Sequence, residues 1–480
     1  MQSKVGPGGG LRRALGTFDL VLLNIVTIIG LRWLSTAAQI GPSSLTLWGF
    51  ALLTFFVPSA LAVLELSSRI PHEGGVYQWT TTALGDLHGF LAGWVFWLSN
   101  LVFFPSLLLY ATGVFLHVGG QGWLKYVDSP LYNGIATILL LWAATFLNMI
   151  GIGRAKWLQN LGGIATVILA VLLVFGGVIA WRLYGSATPI TAASLVPDYT
   201  ALPTWGALSI LILAYDGLEL GPIMAEEIRN PARVIPRAVF LAGAIIAVTY
   251  VAGTLTLLVA LPPAQINAIT GIPEALQAIG NRAGLPFFGV LTAVLLTCGS
   301  IGALGGWISG SARLPFVVGL GHYLPEKFAA LHPKYGTPHV ALLAQAAATT
   351  VVLAAAISGS AIHEAYLLLI DMTVALVCVV WLYIFISLPV LRLRAAGRNE
   401  GVTLIPGGPV VCWLVAGVGT TATVFAAVAC LIPPPASAHP GLFLLKGVGG
   451  CLLILVAGVL LYAHGSKRRA RRQDMRPAGP

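Results

Sequence analysis

The chain has 480 residues, of which 57% are hydrophobic and only 9% are charged, and its formal net charge is +10. A soluble domain is usually about 25% charged, so this composition excludes a soluble protein and indicates one that crosses a membrane many times. The connecting segments are too short for a catalytic domain, and no HExxH, P-loop or GxSxG motif of useful specificity is present, so we expect no enzymatic activity.

Apolar runs of about 20 residues, the length of a helix that crosses the hydrocarbon core of a bilayer, predict twelve transmembrane spans. They cover residues 18–39, 45–66, 87–116, 132–150, 158–183, 205–225, 237–260, 286–318, 339–357, 361–391, 410–431 and 442–463. We number them as spans one to twelve. Spans three, eight and ten are long and must tilt or extend beyond the membrane. The predicted fold is therefore an all-α membrane protein.

The basic residues divide unequally between the two sides of this arrangement. With the N-terminus in the cytoplasm, the outer segments hold only Lys125, Arg182, Arg282 and Lys446, and Arg32 lies within span one. The other 21 of the 26 lysines and arginines lie on the inner side. Because inner loops are enriched in lysine and arginine, we predict a protein of the cytoplasmic (plasma) membrane with both termini inside. The positive charge then indicates contact with the lipid bilayer and no binding of nucleic acid.

Span one is interrupted by Gly30, Leu31 and Arg32, about 12 to 14 residues from its start. At 1.5 Å per residue this is near the middle of the membrane. A helix that opens here frees N–H groups that can bind an anion at a half-helix N-terminus. We predict that these residues, with Thr27 one turn earlier, bind the substrate. The alternative is an ordinary packing contact at Gly30 with an Arg32 side chain that reaches towards the membrane surface.

Span six is interrupted by Asp216 and Gly217, and Glu219 follows at a similar depth. Ionisable groups in mid-membrane usually face a cavity, and opened backbone is tolerated there only around a cavity or inside protein. We therefore predict that Tyr215, Asp216, Gly217 and Glu219 belong to the substrate site, where the acids could hold a cationic group or a proton. The alternative is that the acids pair with Arg32 or with the opened amides.

Asp371 is a lone acid about ten residues into span ten. Span ten enters from the outside and span one leaves to the outside, so Asp371 and Arg32 can meet at a similar depth. A bidentate pair of these residues would close the outer path as a gate. The alternatives are a purely structural pair, or a pairing of Arg32 with Asp216.

The two interrupted spans stand five spans apart, and this odd offset makes the second enter from the opposite side. Such a pattern predicts two inverted five-helix repeats with a transport site between them. The predicted organisation is a cytoplasmic tail over 1–16, repeats over 17–183 and 204–391, two added helices over 409–464, and a disordered basic cytoplasmic tail over 465–480.

Four motifs resemble those of amino acid–polyamine–organocation (APC) superfamily permeases. They are a glycine break after Ile28-Ile29, a PExGGxY-like loop at 71–77, an F-x-G-x-E-like core at 215–219 with an NP-x-R turn near 230, and a helix-eight exit at 313–338. The resemblance covers about residues 18–340. It implies a leucine-transporter-like fold of ten core helices plus two, alternating access, and a substrate between helices one, three, six, eight and ten.

The chain departs from the family pattern at two positions. The family's first break usually reads Gly-Ser-Gly and its amides receive the substrate carboxylate, whereas here Arg32 occupies the third position. The residue before the helix-six glycine is usually apolar or small, whereas here it is Asp216. These two opposite charges could neutralise each other, or they could bind the two ends of a zwitterion.

The predicted function is secondary active transport of amino acids by alternating access. Transport or exchange of polyamines or other organic cations is an alternative, and a transport-incompetent receptor or sensor is an alternative of another class. We predict no cofactor, and the coupling ion stays open: Thr166, Ser309 and Ser311 could serve sodium, Asp216 or Glu219 could carry a proton, or exchange could need no ion. The expected partners are a small-molecule amino acid or amine and the bilayer, with no prediction of oligomeric state.

The charge asymmetry predicts where the two ends of the chain lie. A cysteine introduced at Ser3 or at Asp474 should be protected from a membrane-impermeant thiol reagent in intact cells and should react after the cells are opened. A cysteine at Lys125, in a predicted outer loop, is the matched control and should react in intact cells. Ready labelling of either terminal position from outside would overturn this topology.

Overall fold

The computed structural model describes residues 13–320, 323–357, 362–394, 401–432 and 440–474. Within these residues the chain is helical, and its one β contact is an isolated bridge between Leu15 and Ile228. The predicted all-α membrane fold is therefore confirmed.

The principal helices are numbered here in chain order. They are α1 Thr17–Ile28, α2 Arg32–Ile40, α3 Ser43–Arg69, α4 Val76–Leu84, α5 Asp86–Phe115, α6 Pro130–Met149, α7 Ile152–Tyr184, α8 Leu202–Leu213, α9 Leu220–Ile223, α10 Pro231–Ala260, α11 Gly271–Arg282, α12 Phe288–Ser311, α13 Arg313–Leu320, α14 His339–Ile357, α15 Ile362–Arg394, α16 Gly408–Ala429 and α17 Pro440–Asp474. Short helical turns cover Leu116–Gly119, Gln121–Leu124, Ala225–Glu227, Pro263–Gln265 and Glu326–Ala329.

Ten helices in the described ranges are long and apolar enough to cross a membrane, and an eleventh span results if α1 and α2 are counted together. These two helices are bent by 43° at the break between them, where the sequence predicts an interruption. Span six consists of α8, with 12 residues, and α9, with 4. Each piece is too short to cross alone, so the twelve predicted spans include two that are broken.

Three boundaries differ from the sequence prediction. Span seven begins at Pro231 rather than at 237, because Asn230 adopts a left-handed conformation and Pro231 suits the first helical position. The basic tail predicted to be disordered from 465 is helical as far as Asp474, since lysine, arginine and alanine favour helix; residues 475–480 lie outside the described part. The cytoplasmic tail predicted over 1–16 ends earlier, because Leu15 is fully buried in the protein.

The broken helix α1 lies at the centre of the bundle, against α7, α10 and α12. The close packing of α7 on α12 depends on glycines, since a Cβ on Gly302 would lie 2.6 Å from the Gly162 Cα and 3.0 Å from the Leu158 carbonyl oxygen. Small residues at helix interfaces allow backbones to approach closely within a membrane. This contact therefore fixes two of the helices that surround α1.

The Gly162–Gly302 contact predicts a large effect from one added methyl group. Gly302→Ala should lower the thermal midpoint of the purified protein, since overpacking costs about 1–3 kcal/mol and the contacted atoms are backbone. Gly417→Ala is the matched control, because a Cβ at that helical glycine meets nothing within 4 Å. Equal midpoints for the two variants would contradict the packing described here.

Candidate substrate site

A cavity lies between the two helix breaks, in the middle of the bundle. Its walls come from the α1–α2 break, α5, α7, the end of α8, α12 and α15. Thr27, Gly30, Leu31, Arg32 and Asp216 are part of its lining. The cavity has about 50 Å³ of space for water-sized molecules, which is far less than the 300–1,000 Å³ that is usual for ligand pockets.

At the first break, between Ile28 and Arg32, the regular hydrogen bonds of a helix are interrupted and other contacts take their place. The Gly30 N–H donates to the Ile28 carbonyl at 2.6 Å, and its contact with the Tyr250 hydroxyl oxygen measures 3.3 Å. A Cβ on Gly30 would lie 2.3 Å from the Trp33 indole nitrogen. Glycine is therefore required at this position by the close approach of an aromatic ring.

The second break lies between α8 and α9 and meets the first one. Gly217 has φ +125°, a conformation that other residues rarely adopt. A Cβ on Gly217 would lie 2.9 Å from the Ile28 side chain and 3.2 Å from the Trp307 ring. Both the backbone angle and the available space therefore demand glycine where the two broken helices touch.

One hydroxyl group joins the two breaks. The fully buried Tyr250 of α10 places its hydroxyl oxygen 2.6 Å from the Ile28 carbonyl oxygen and 2.5 Å from the Ala214 carbonyl oxygen. These carbonyls lie at the ends of α1 and α8, where helices leave acceptors unsatisfied. The Trp307 indole N–H donates to a third such carbonyl, that of Thr27, at 3.2 Å. Neutral side chains thus satisfy much of the opened backbone.

Arg32 is buried in this site without an acidic partner. Its side chain is 4% exposed, and its guanidinium carbon lies 4.2 Å from the centre of the Trp33 ring and 5.0 Å from that of Phe103. Its Nε has no hydrogen-bond partner, and Arg32 forms no ion pair within the described residues. Cation–π contacts stabilise the charge in part, but they leave its N–H donors available.

Asp216 is held from the opposite side of the site. Its Oδ1 accepts a hydrogen bond from the Trp381 indole N–H of α15 at 2.6 Å. Glu219 is 1% exposed, and its Oε2 has no hydrogen-bond partner in the described ranges. The second break therefore carries two buried carboxyl groups, of which only that of Asp216 borders the cavity.

Three residues predicted for the site from the sequence do not line the cavity. Tyr215 packs against the rings of Trp48 and Tyr250, at centroid distances of 5.6 and 5.1 Å. Gly217 faces Ile28 and Trp307, and Glu219 lies at the start of α9 behind the break. Their contacts are with the protein rather than with the cavity.

The structure does not bring the predicted gate pair together. Asp371 lines a separate cavity of about 170 Å³, which it shares with Cys430 of the α16 end and Cys451 of α17. Thr373, on the same helix, lines the central cavity. At about 100° per residue, the side chains of Asp371 and Thr373 point about 160° apart, to nearly opposite sides of the helix. The depth of Asp371 allowed a meeting with Arg32, but the rotation of α15 directs the two side chains into different cavities.

The hydroxyl groups considered for sodium are bonded largely within the protein. Thr166 donates to the Gly162 carbonyl at 2.9 Å, and Ser311 donates to the Trp307 carbonyl at 2.7 Å. Such bonds to the preceding turn are usual for hydroxyls in membrane helices. Ser309 is buried, and its hydroxyl has no partner in the described part of the chain.

Sequence reasoning missed Tyr250, Trp307 and Trp381, although these residues hold the two breaks and Asp216 in place. Each is an aromatic residue in a long apolar span, where aromatic residues are common. Their polar atoms form hydrogen bonds with residues of other spans rather than with neighbours in the sequence. No local pattern therefore distinguishes them from residues that only pack.

Two neighbouring tyrosines predict opposite responses to loss of the hydroxyl group. Tyr250→Phe removes the donor shared by the two carbonyls and should lower the thermal midpoint, since an unsatisfied buried group costs about 1–3 kcal/mol. Tyr215→Phe is the matched control and should leave the midpoint unchanged or raise it, because the Tyr215 hydroxyl is buried and has no partner among the residues that the structure describes. A Tyr250→Phe protein as stable as the wild type would contradict this role.

Comparison with known proteins gives matches along most of the chain. A family model described as amino acid permease matches residues 15–457. An uncharacterized transporter of Legionella pneumophila is 29% identical over 472 residues, which are 96% of this chain and 98% of that protein. The glutamate/gamma-aminobutyrate antiporter of Lactococcus lactis is 25% identical over 389 residues (80% and 76%). The serine/threonine exchanger SteT of Bacillus subtilis is 26% identical over 424 residues (84% and 89%).

Proposed function

The chain belongs to the amino acid permease family, and on this premise we propose that it is a secondary transporter of amino acids that works by alternating access. The membership confirms the resemblance that the sequence motifs indicate. The family is one of transporters, and the relatives include an antiporter and an exchanger of amino acids. We place the protein in the cytoplasmic membrane with both termini inside.

The observation that carries the proposal is the unpaired Arg32. A buried guanidinium with free donors is costly unless a counter-charge reaches it, and no carboxylate of the described chain does so. A substrate carboxylate would supply that charge and can form two parallel hydrogen bonds with the guanidinium. Arg32 thus takes the task that opened amides perform in relatives with the Gly-Ser-Gly sequence.

Asp216 supplies the complementary charge for an amino group. Its Oδ1 is occupied by Trp381 at 2.6 Å, which fixes the carboxylate in the cavity wall and leaves the other oxygen as an acceptor. A cation at one break and an anion at the other fit the two ends of a zwitterion.

The small size of the cavity and its two broken walls support alternating access. About 50 Å³ of free space is far less than a usual ligand pocket, so we expect the helices around it to move when they admit an amino acid. Broken helices at the middle of the membrane are the elements around which transporters of this kind rearrange. In this proposal the cavity described here is a contracted state of that site.

An organic cation is the second candidate substrate. Asp216 and Glu219 are both carboxyl groups at the second break, and two acids suit a diamine better than a zwitterion. Arg32 opposes this reading, because a polycation in the cavity would be repelled by an unpaired guanidinium. The two candidates differ in whether Arg32 attracts or repels the substrate.

Substitutions at Arg32 and Asp216 distinguish them. In a thermal-shift screen followed by flux measurements in proteoliposomes, amino acids should stabilise the wild type, and Arg32→Gln should weaken their binding by about tenfold or more, the loss of a charged hydrogen bond worth roughly 1.5–3 kcal/mol. Asp216→Asn should weaken binding by a similar factor. A gain in amine affinity with Arg32→Gln, without loss of amino acid binding, would favour the organic cation.

Two matched controls accompany this experiment. Arg282→Gln removes another arginine that is stacked on an aromatic ring, 4.4 Å from the centre of Tyr184, but outside the cavity. Asp371→Asn removes another aspartate of the membrane interior, which faces a different cavity. If Asp371→Asn weakens substrate binding and Asp216→Asn does not, the gate pair predicted from the sequence governs binding rather than the arrangement proposed here.

A further inference from the structure

A second cluster of buried charges lies on the side that the topology assigns to the cytoplasm. Glu73 is in the loop between α3 and α4, Glu227 is in the helical turn after α9, and Arg313 begins α13. Their exposed fractions are 5%, 1% and 2%. Two carboxylates share one guanidinium, so the buried cluster has a charge of −1 when both acids are ionised. One proton would make it neutral.

The hydrogen bonds are divided unequally between the two acids. Arg313 donates from Nε to Glu227 Oε2 at 3.0 Å and from Nη2 to Glu227 Oε1 at 2.9 Å. Glu73 Oε2 accepts from the Glu226 N–H at 3.0 Å. Glu73 Oε1 is buried 3.9 Å from the Arg313 Nε, and no described residue forms a hydrogen bond with it. The atom that best accommodates the proton is therefore Glu73 Oε1.

The electrostatic surroundings of Glu73 agree with this assignment. Burial raises the pKa of Glu73 well above its ordinary value of 4.5, the Glu227 and Glu226 carboxylates act in the same direction, and Arg313 opposes them. His72, the adjacent titratable group on the loop, is exposed. Because the buried carboxyl binds a proton more tightly than a carboxyl in water, protonation stabilises the buried arrangement at low pH. That stabilisation is lost as the pH rises through the raised pKa.

The cluster fastens together segments that the proposed transport cycle has to separate. The Gly74 N–H donates to the Ile223 carbonyl of α9 at 3.0 Å, which ties the Glu73 loop to the second broken helix. The Glu227 carbonyl accepts from the N–H groups of Ala14 and Leu15, at 3.0 Å each, just before α1. Opening this side of the protein would therefore expose the cluster.

A route for the proton is also present. Glu227 borders a cavity of about 310 Å³ whose walls include Arg154 and Lys334. Both of these basic side chains are exposed, so the cavity reaches the protein surface. Glu227 and Arg313 therefore lie between Glu73 and this cavity, and a proton does not have to cross the bundle to reach Glu73.

We propose that Glu73 is a proton-binding site that controls the transport cycle. It takes a proton from the cytoplasm, through the cavity that Glu227 borders, while the Glu73–Glu227–Arg313 cluster is buried, and it returns the proton to the cytoplasm when the cluster opens. The inference rests on the proposed transport function, and it makes the cytoplasmic proton a regulator of that cycle. The proton binds at Glu73 Oε1 and leaves from the same atom, and no other bond changes.

The test compares Glu73→Gln, which imitates the protonated acid, with Glu226→Gln, which removes the neighbouring exposed carboxylate. The thermal midpoint of the purified wild type should fall as the pH is raised from about 5 to 8. Glu73→Gln should show a shallower fall. Glu226→Gln should keep a fall as steep as that of the wild type, at a slightly lower pH, because one carboxylate near Glu73 is removed. In proteoliposomes, amino acid flux through Glu73→Gln should lose the dependence on internal pH, whose limiting slope is about tenfold per pH unit for a one-proton step.

Glu73→Asp keeps a titratable group on a shorter side chain and should retain more of the pH dependence than Glu73→Gln does, a difference that a merely structural role would not predict. A pH dependence of stability that is the same in Glu73→Gln and the wild type overturns the proton site, whether or not any flux is observed. Absence of amino acid flux through the wild type overturns the proposed function instead, and the stability measurements still decide the proton site. If Glu73→Gln does not fold, a pH-independent stability of Glu73→Asp overturns the proposal.

Discussion

The constraint on which this structure depends is that backbone polar groups inside a membrane must find partners within the protein. Two helices are opened in mid-membrane, and the Tyr250 hydroxyl lies within 2.6 Å of a carbonyl oxygen from each of them. A hydroxyl has one proton to donate, so it can satisfy only one of these carbonyls at a time. The two breaks are therefore energetically linked, since a change at one alters the donor available to the other.

The same constraint shapes the electrostatics of the site. Asp216 has a fixed donor in Trp381, whereas Arg32 lies against the Trp33 and Phe103 rings and has no acidic partner among the described residues. An unpaired guanidinium in such a place is a cost that a structural role does not explain. A substrate carboxylate would supply the missing partner, and its attraction to the Arg32 guanidinium would then contribute to binding rather than to folding alone.

At the side that the predicted topology assigns to the cytoplasm, the protein uses paired charges, whereas the centre uses neutral donors. The Arg313–Glu227 pair is fully satisfied, and it joins the entry to α1, the exit from span six and the start of α13. Glu65 plays a comparable part nearby, because its carboxylate contacts Arg69 and Arg392 from two different helices. Buried ionic clusters of this kind are stable while they exclude water, and they separate more readily once water solvates the charges.

The sequence alone determined the membrane class, the helical fold and the positions of both breaks, because hydropathy, glycine and isolated charges act locally along an apolar segment. It also identified Arg32 and Asp216 as residues of the cavity wall. Only the tertiary structure decided that Tyr250 and Trp381 hold this site, and that Asp371 faces away from it. Depth in the membrane follows from counting residues, but the rotation of a helix about its axis depends on packing against distant segments. That packing places Asp371 and Arg32 in separate cavities.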